Sequence, residues 1–270
     1  MSVLITSRDN PQVKGYCRLR DKSRERREAG LLALEGARLC KDAAAGGQAL
    51  KAVFLTERAM TQYAEETALL QQTAEQIYVI SEAVASLMGE TEHPQGVFAL
   101  VGWPTARLDA ENLDRNGRYL ALESVRDPGN LGTIVRTAEA FGIDGLILSS
   151  DCCDVYSPKV LRAAMGGTLR LPIAVTDHLP TAIAVWQANG LTAYACVASE
   201  NAVPLTAVSL GRGVVPIIGN EANGLTAETI AACDERVTIP MAGRAESLNA
   251  AVAACIVLWE HARTEGTDGT

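Results

Sequence analysis

Asp127-Pro128-Gly129-Asn130-Leu131-Gly132-Thr133-Ile134-Val135-Arg136 is the stretch on which the reading of this chain turns. It follows Tyr119-Leu120-Ala121-Leu122, an apolar run with the length of a buried strand, and it opens a segment whose residues Leu131, Ile134, Val135, Ala138 and Phe141 recur at helical spacing. A strand therefore passes into a helix through a short turn marked by proline and glycine. Two later segments share the pattern: Ile217-Ile218-Gly219-Asn220-Glu221-Ala222-Asn223-Gly224-Leu225, and Ile239-Pro240-Met241 with Glu246-Ser247-Leu248-Asn249 beyond it. Each joins a strand to a loop of glycine and small polar residues, where backbone can approach a ligand closely. Three such junctions predict one composite site.

Around them the second half alternates strands with helical segments. Gly145–Leu148, Ile173–Val175, Leu191–Cys196, Val214–Ile218 and Val237–Pro240 read as strands after Tyr119–Leu122. The spacing predicts an α/β fold with a mostly parallel, doubly covered sheet, in which ligands sit at the carboxyl ends of strands. The dinucleotide fingerprint GxGxxG is absent, which counts against a Rossmann dinucleotide-binding fold. The first half reads as a helix over Arg26–Ala45, a strand over Leu50–Leu55, a helix over Thr61–Thr73, a strand over Ile77–Ile80, a helix capped by Ser81, and a strand over Val97–Val101. A polar stretch through Pro104, Asp109, Asp114 and Asn116 follows. The chain is thus divided into residues 1–104, a linker over 105–117, and residues 118–270.

The 270 residues are 48% hydrophobic, enough for true cores, and no run of about eighteen apolar residues occurs. The amino terminus lacks the apolar stretch of a secretory signal, so the expected compartment is the cytoplasm. Seven cysteines without a CxxC pair suggest neither a disulfide framework nor a zinc site. The three histidines, His93, His178 and His261, make a histidine metal centre or a Ser-His-Asp hydrolase improbable, and no metal is expected. The net charge is −8, yet Lys14, Arg18, Arg20, Lys22, Arg24, Arg26 and Arg27 crowd one stretch against Asp21, Glu25 and Glu28. Such a stretch is either a solvated helix face or a surface for nucleic-acid phosphates.

The three motifs, in their order and spacing, resemble those of the SpoU (TrmH) branch of the SPOUT methyltransferases over about residues 118 to 264. The first half, through its basic start and the Leu34-Glu35-Gly36 and Pro94-Gln95-Gly96 segments, resembles an L30e-like substrate-binding domain. The resemblance implies a deep trefoil knot in the carboxy-terminal domain, a homodimer packed through the first and last helices of that domain, and S-adenosyl-L-methionine as cofactor. The implied reaction is methylation of a ribose 2'-hydroxyl in RNA, with 23S rRNA first in expectation and tRNA second.

Carried over by position, Gly219, Asn220, Ile239, Met241, Leu248 and Asn249 hold the cofactor, and Arg136, Asn130, Glu221, Ser247 and Asn249 form the catalytic set. Arg136 follows Asn130 by six positions, off the apolar stripe of its helix. A guanidinium is too weak an acid to act as a general base, so its expected work is clamping the substrate phosphate and stabilising the developing oxyanion. Asn130 also reads as a helix N-cap, Ser247 as a cap of the last helix, and Glu221 as a group that holds Arg136 or Asn130. Leu248, Val252, Cys255 and Trp259 read as an ordinary core stripe. Arg18, Arg20, Arg24, Arg27, Lys159 and Arg162 are the RNA-contact candidates, and Arg244 departs from the small residues common at its position in the family. Two alternatives stand beside this: a catalytically silent RNA-binding or ribosome-assembly protein, and an unrelated nucleotide-dependent α/β enzyme.

Overall fold

The computed structural model describes residues 3–106 and 108–263. The chain forms two compact units, Met1–Thr105 with Tyr156–Arg170, and Ala106–Val155 with Leu171–Thr270.

The first unit runs β1 (Val3–Ile5), α1 (Pro11–Asp21), α2 (Ser23–Ala29), β2 (Leu31–Glu35), α3 (Ala37–Ala45), β3 (Leu50–Leu55), α4 (Glu57–Gln62), α5 (Ala64–Thr73), β4 (Ile77–Ile80), α6 (Glu82–Met88) and β5 (Val97–Gly102). Its sheet has the order β1-β4-β3-β5-β2, with β5 antiparallel to both neighbours. The strands are apolar on both faces because both are covered. Phe54 and Phe98 pack with Tyr16 and Met88 on one face, while Leu32, Leu34, Val53 and Val101 pack with Cys40 and Leu70 on the other.

The helix expected over Arg26–Ala45 is two helices with a strand between them. Gly30, at φ +63°, closes α2 in the left-handed conformation, and Leu31–Glu35 then pairs antiparallel with β5 as a buried strand. Leucine and alanine favour helix in isolation, but burial on two faces of a sheet outweighs that small preference. Thr61–Thr73 is likewise broken at Tyr63, between α4 and α5.

In the second stretch of chain come β6 (Tyr119–Leu122), α7 (Pro128–Ala140), β7 (Gly145–Ser149), α8 (Pro158–Ala163), α9 (Gly167–Arg170), β8 (Ile173–Thr176), α10 (Leu179–Ala188), β9 (Thr192–Cys196), β10 (Val203–Pro204), β11 (Val214–Ile218), α11 (Ala227–Ala232), β12 (Glu235–Thr238) and α12 (Ala250–Arg263). Of these, α8 and α9 pack within the first unit, where Leu161 and Leu169 join its core. The remaining strands make a seven-stranded sheet, β10-β12-β9-β11-β6-β7-β8, parallel throughout. The chain lays down β6, β7 and β8 in one direction and then returns to the other side of β6. The neighbours β6 and β11 therefore mark the topological switch point, where the loops beyond the strand ends part to leave a crevice. The third strand end comes earlier than expected, β12 stopping at Thr238 before Ile239-Pro240.

Helix α12 corrects another expectation. Its buried face is Ala250, Ala251, Ala254, Val257, Leu258 and His261, while Val252, Ile256 and Trp259 are 48%, 37% and 56% exposed. The stripe Val252–Cys255–Trp259 is not core packing. Trp259 lies over Phe141 at the end of α7, ring centroids 5.7 Å apart, with much of its ring open to solvent.

His261 is fully buried, its Nδ1 directed at the Leu210 carbonyl and its Nε2 without a partner. Burial holds the imidazole below its ordinary value, and the Arg118 guanidinium adds to the effect against the opposing Leu210 carbonyl. In the window between the unfolded value, about 6.5, and the lowered folded value, the unfolded chain binds more protons, so stability falls as pH drops through that window. The melting temperature is expected to decline from pH 7 to pH 5, and His261→Phe to flatten that decline while lowering the plateau; an unchanged slope in the variant would exclude His261 as its source.

Candidate active site

The loop from Gly219 to Leu225 leaves the end of β11 and folds back on itself. Asn220 and Gly224 exchange backbone hydrogen bonds of 3.0 and 2.9 Å, and the Asn220 Oδ1 accepts from the Ala222 and Asn223 amides at 2.9 and 3.3 Å. This closure brings the Gly224 backbone against Gly219, where an added Cβ would stand 2.2 Å from the Gly224 carbonyl carbon and 2.4 Å from the Leu225 nitrogen. Only glycine fits there. The Gly219 requirement arises from space, and the Gly224 preference from its φ of +65°.

The closed loop forms one wall of a cavity of ≈ 350 Å³, completed by the ends of β9 and β12, Ile239, Met241, and the Ser247-Leu248 segment ahead of α12. The volume lies in the range of small-molecule sites. Of the expected cofactor residues, Gly219, Asn220, Ile239, Met241 and Leu248 line it, as do Glu221 and Ser247 from the catalytic set. Among the described residues, Glu221 is the sole acidic side chain in the wall, which holds no lysine or arginine; Arg244 is exposed and outside it. Cys196 also faces the cavity, its thiol pushed up to about 12 by burial and so protonated at neutral pH.

At the mouth, amides and one carboxylate form a chain of hydrogen bonds. Asn249 Nδ2 donates to Asn130 Oδ1 at 3.1 Å, and Asn130 Nδ2 donates to Glu221 Oε1 at 2.7 Å. Asn220 Nδ2 approaches Glu221 Oε2 at 3.4 Å and donates to the Ser124 carbonyl at 2.7 Å. Residues drawn from three motifs thus meet through side chains. Glu221 holds Asn130, and Arg136 is elsewhere: it is exposed on α7 and has no hydrogen-bond or ion-pair partner among the described residues.

The caps also differ from expectation. The N-cap of α7 is Asp127, whose carboxylate accepts from the Asn130 amide at 2.8 Å, so the Asn130 side chain is released to reach Glu221. The cap of α12 is Asn249, accepting from the Ala251 and Val252 amides at 2.9 and 3.2 Å, while Ser247 lies ahead of the helix.

Three supporting side chains escaped the sequence reading. Glu123, at the end of β6, is 6% exposed and holds Thr226 and Thr229. Ser124 stands at φ +56°, rare for a residue with a side chain, and its hydroxyl donates to Asp151. Burial works to raise the Asp151 carboxyl, but the hydroxyls of Ser124 and Ser149 and the Arg126 guanidinium at 3.7 Å leave it below its ordinary value. The signal available was a glutamate ending an apolar strand immediately before the first motif.

In the first unit, Arg18 and Arg27 are exposed, as is Lys159 on α8. Arg24 pairs with Glu28 at 2.6 Å along α2. Arg20 is engaged internally, donating to Asp21 and to the carbonyls of Leu87, Met88 and Gly89 that end α6. Arg162 lies between two carboxylates, 3.5 Å from Glu35 and 2.9 Å from Glu90. The sequence pattern cannot separate Arg20 and Arg162 from the free arginines, because the α6 carbonyls and the carboxylates of Glu35 and Glu90 that hold them are distant in the chain.

The parallel α/β sheet, with a loop-built cavity at its switch point and an asparagine–glutamate chain beside it, is the architecture of a SPOUT-class methyltransferase domain, the class of its solved structural neighbours. The chain belongs to the SpoU rRNA methylase family, whose sequence model matches residues 117–259, and residues 10–99 match the MRM3-like substrate binding domain. It is 31% identical to the 23S rRNA (guanosine(2553)-2'-O)-methyltransferase RlmP of Bacillus subtilis, over 94% of this chain and 97% of that protein. It is also 31% identical to the 23S rRNA (uridine(2479)-2'-O)-methyltransferase of Streptomyces viridochromogenes, over 96% and 91%. Among solved structures, the AdoMet-bound rRNA methyltransferase from Sinorhizobium meliloti superposes with a TM-score of 0.81 at 31% identity, covering 96% of this chain and 97% of that one.

Because a methyl group at residue 219 runs into the Gly224–Leu225 peptide, Gly219→Ala is expected to destabilise the fold by about 1–3 kcal/mol, as overpacking does. Thermal unfolding beside Gly243→Ala, where nothing lies within 4 Å of the added carbon, checks this; equal melting temperatures would refute the close approach.

Proposed function

We propose that this protein transfers the methyl group of S-adenosyl-L-methionine to a ribose 2'-hydroxyl of RNA, with 23S rRNA the leading substrate and tRNA the second. The observation that carries the reading is the Asn249–Asn130–Glu221 chain at the mouth of the closed-loop cavity. The lining fits the cofactor: its apolar side chains would pack against an adenine, backbone of the Gly219–Leu225 loop would offer it polar groups, and among the described residues no lysine or arginine in the wall would repel a sulfonium. The protonated Cys196 offers no competing nucleophile.

The cofactor supplies a methyl carbon already activated by its positive sulfur. What remains for the chain is alignment of the ribose oxygen with that carbon and sulfur, and relief of the hydroxyl proton. Arg136, exposed and unpartnered, binds the substrate phosphate and stabilises negative charge building on the attacking oxygen. Asn130 and Asn249, held by Glu221 and by each other, fix the rim over which the ribose enters, and Ser247 stands beside it in the cavity wall.

In this reading residues 1–104 bind RNA, 105–117 link, and 118–270 catalyse, with Arg18, Arg24, Arg27 and Lys159 meeting phosphates. Cofactor capture by the Ile239–Leu248 segment goes with a trefoil knot, a reading supported by that segment and the Gly219–Leu225 loop lining one cavity. The exposed stripe Val252, Ile256 and Trp259 supports a homodimer through α7 and α12. The reading places the protein in the cytoplasm with ribosomal RNA; among the described residues no helix is long and apolar enough to cross a membrane.

Labelled methyl from S-adenosylmethionine is expected to enter rRNA as a 2'-O-methyl nucleotide, and Arg136→Ala to lower kcat/KM by about 10²-fold or more, the scale of a lost transition-state donor. Incorporation at wild-type rate by the variant would remove Arg136 from its role, and no incorporation into rRNA, tRNA or ribosomal particles would sink the proposal. Trp259→Glu is expected to convert a dimer into a monomer in sedimentation equilibrium; a wild-type monomer would end the dimer reading.

A further inference from the structure

The Gly219–Leu225 loop is fastened at both ends by Glu123 and Ser124, the two residues that follow β6. At its near end, the Glu123 amide donates to the Ile218 carbonyl at 2.9 Å, and the Ser124 carbonyl accepts from Asn220 Nδ2 at 2.7 Å. At its far end, the Glu123 carboxylate takes three donors: the Thr226 amide at 2.8 Å on Oε2, and on Oε1 the hydroxyls of Thr226 at 3.0 Å and Thr229 at 2.5 Å. All seven residues between these fastenings line the cavity. The fastenings therefore hold both ends of that wall in place.

We infer that Glu123 is a positioning residue that sets the affinity for the cofactor by holding the Gly219–Leu225 loop closed, without itself touching cofactor or RNA. The inference rests on the methyltransferase reading and deepens it. Glu123 is 6% exposed and absent from the cavity wall, so its carboxylate acts only through Thr226 and Thr229. A buried carboxylate is costly unless its oxygens are satisfied. Three donors satisfy it here, and all three lie at the start of α11, which the loop leads into. An acceptor-only group is suited to this arrangement, since an amide in its place brings one donor among three groups that all donate here, facing either the Thr226 N–H or the two hydroxyls. Thr229 is fully buried beneath it and presents the most direct second handle.

The test is calorimetric binding of S-adenosylhomocysteine to the full chain, together with steady-state constants for S-adenosylmethionine and RNA. Glu123→Gln is expected to raise the S-adenosylhomocysteine Kd and the S-adenosylmethionine KM about tenfold, the scale of a lost charge-assisted hydrogen bond, and to leave the RNA KM and kcat at saturating cofactor near wild type. Thr229→Val, which keeps the carboxylate and removes one donor, is expected to move the same constants in the same direction, and to add less in the Glu123→Gln background than alone because the two share one contact. A general loss of structure would raise the RNA KM as well, so that result overturns the inference, as does a cofactor Kd within twofold of wild type in either folded variant. If Glu123→Gln does not fold, Thr229→Val decides. Failure of the wild-type chain to bind S-adenosylhomocysteine counts against the methyltransferase reading itself.

Discussion

The pairing of β6 with β11 is the constraint on which the rest of the catalytic unit depends. These strands are separated by some ninety residues of chain, yet Ala121 lies beside Ile217 and Leu122 beside Ile218. That register brings the first motif, which follows β6, against the second, which follows β11. One residue of slip would turn Glu123 and Asn220 to opposite faces of their strand ends and undo both fastenings of the loop. Burial keeps the two strands together, since every residue of β6 and β11 is withdrawn from water, while the bonds of Glu123 and Ser124 to Ile218 and Asn220 are made only in this register.

From this pairing follows a hierarchy of rigidity. The strand ends are fixed by the ladder, the Gly219–Leu225 loop by its own bridge and by Glu123 and Ser124, and Asn130 by Glu221. Ser124 pays for its place with a left-handed backbone, a conformation that persists only where the surroundings over-determine it. Those surroundings are visible: its amide, hydroxyl and carbonyl each have a partner, in Ser149, Asp151 and Asn220. By contrast Met241 to Ser247 is exposed along its length, so the cavity has one braced wall and one open flank.

Much of this was legible in the chain. The parallel sheet followed from apolar runs of strand length separated by helical segments; the second and third motif junctions fell at strand ends that line the cavity, and the first reaches it through the Asn130–Glu221 bond. What the sequence hid is of one physical kind. Leu31–Glu35 carries helix-favouring residues, and only the sheet into which it is inserted makes it a strand. Val252, Ile256 and Trp259 have the spacing of a buried stripe, and only the position of α12 on α7 reveals that a different face is buried. Arg20 and Arg162 look like their free neighbours until Gly89 and Glu90 are brought to them from some seventy residues away. Local pattern reports the elements well and their partners poorly, because a partner is a property of the tertiary fold.

The separation of Glu221 from Arg136 has its own electrostatic logic. Had the two paired, each would have cancelled the other's field, and neither the cavity mouth nor the helix surface would have carried usable charge. Instead Glu221 is satisfied by two neutral amides, from Asn130 and Asn220, which stabilise the carboxylate without neutralising it. Its negative charge therefore remains at the mouth of a cavity otherwise free of ionised groups in the described residues, where it favours a positively charged ligand. Arg136 keeps its positive charge on the exposed side of α7 for an anionic one. Asparagine suits position 130 because it donates to the carboxylate with one end and accepts from Asn249 with the other, tying the motifs together while leaving the Glu221 charge intact.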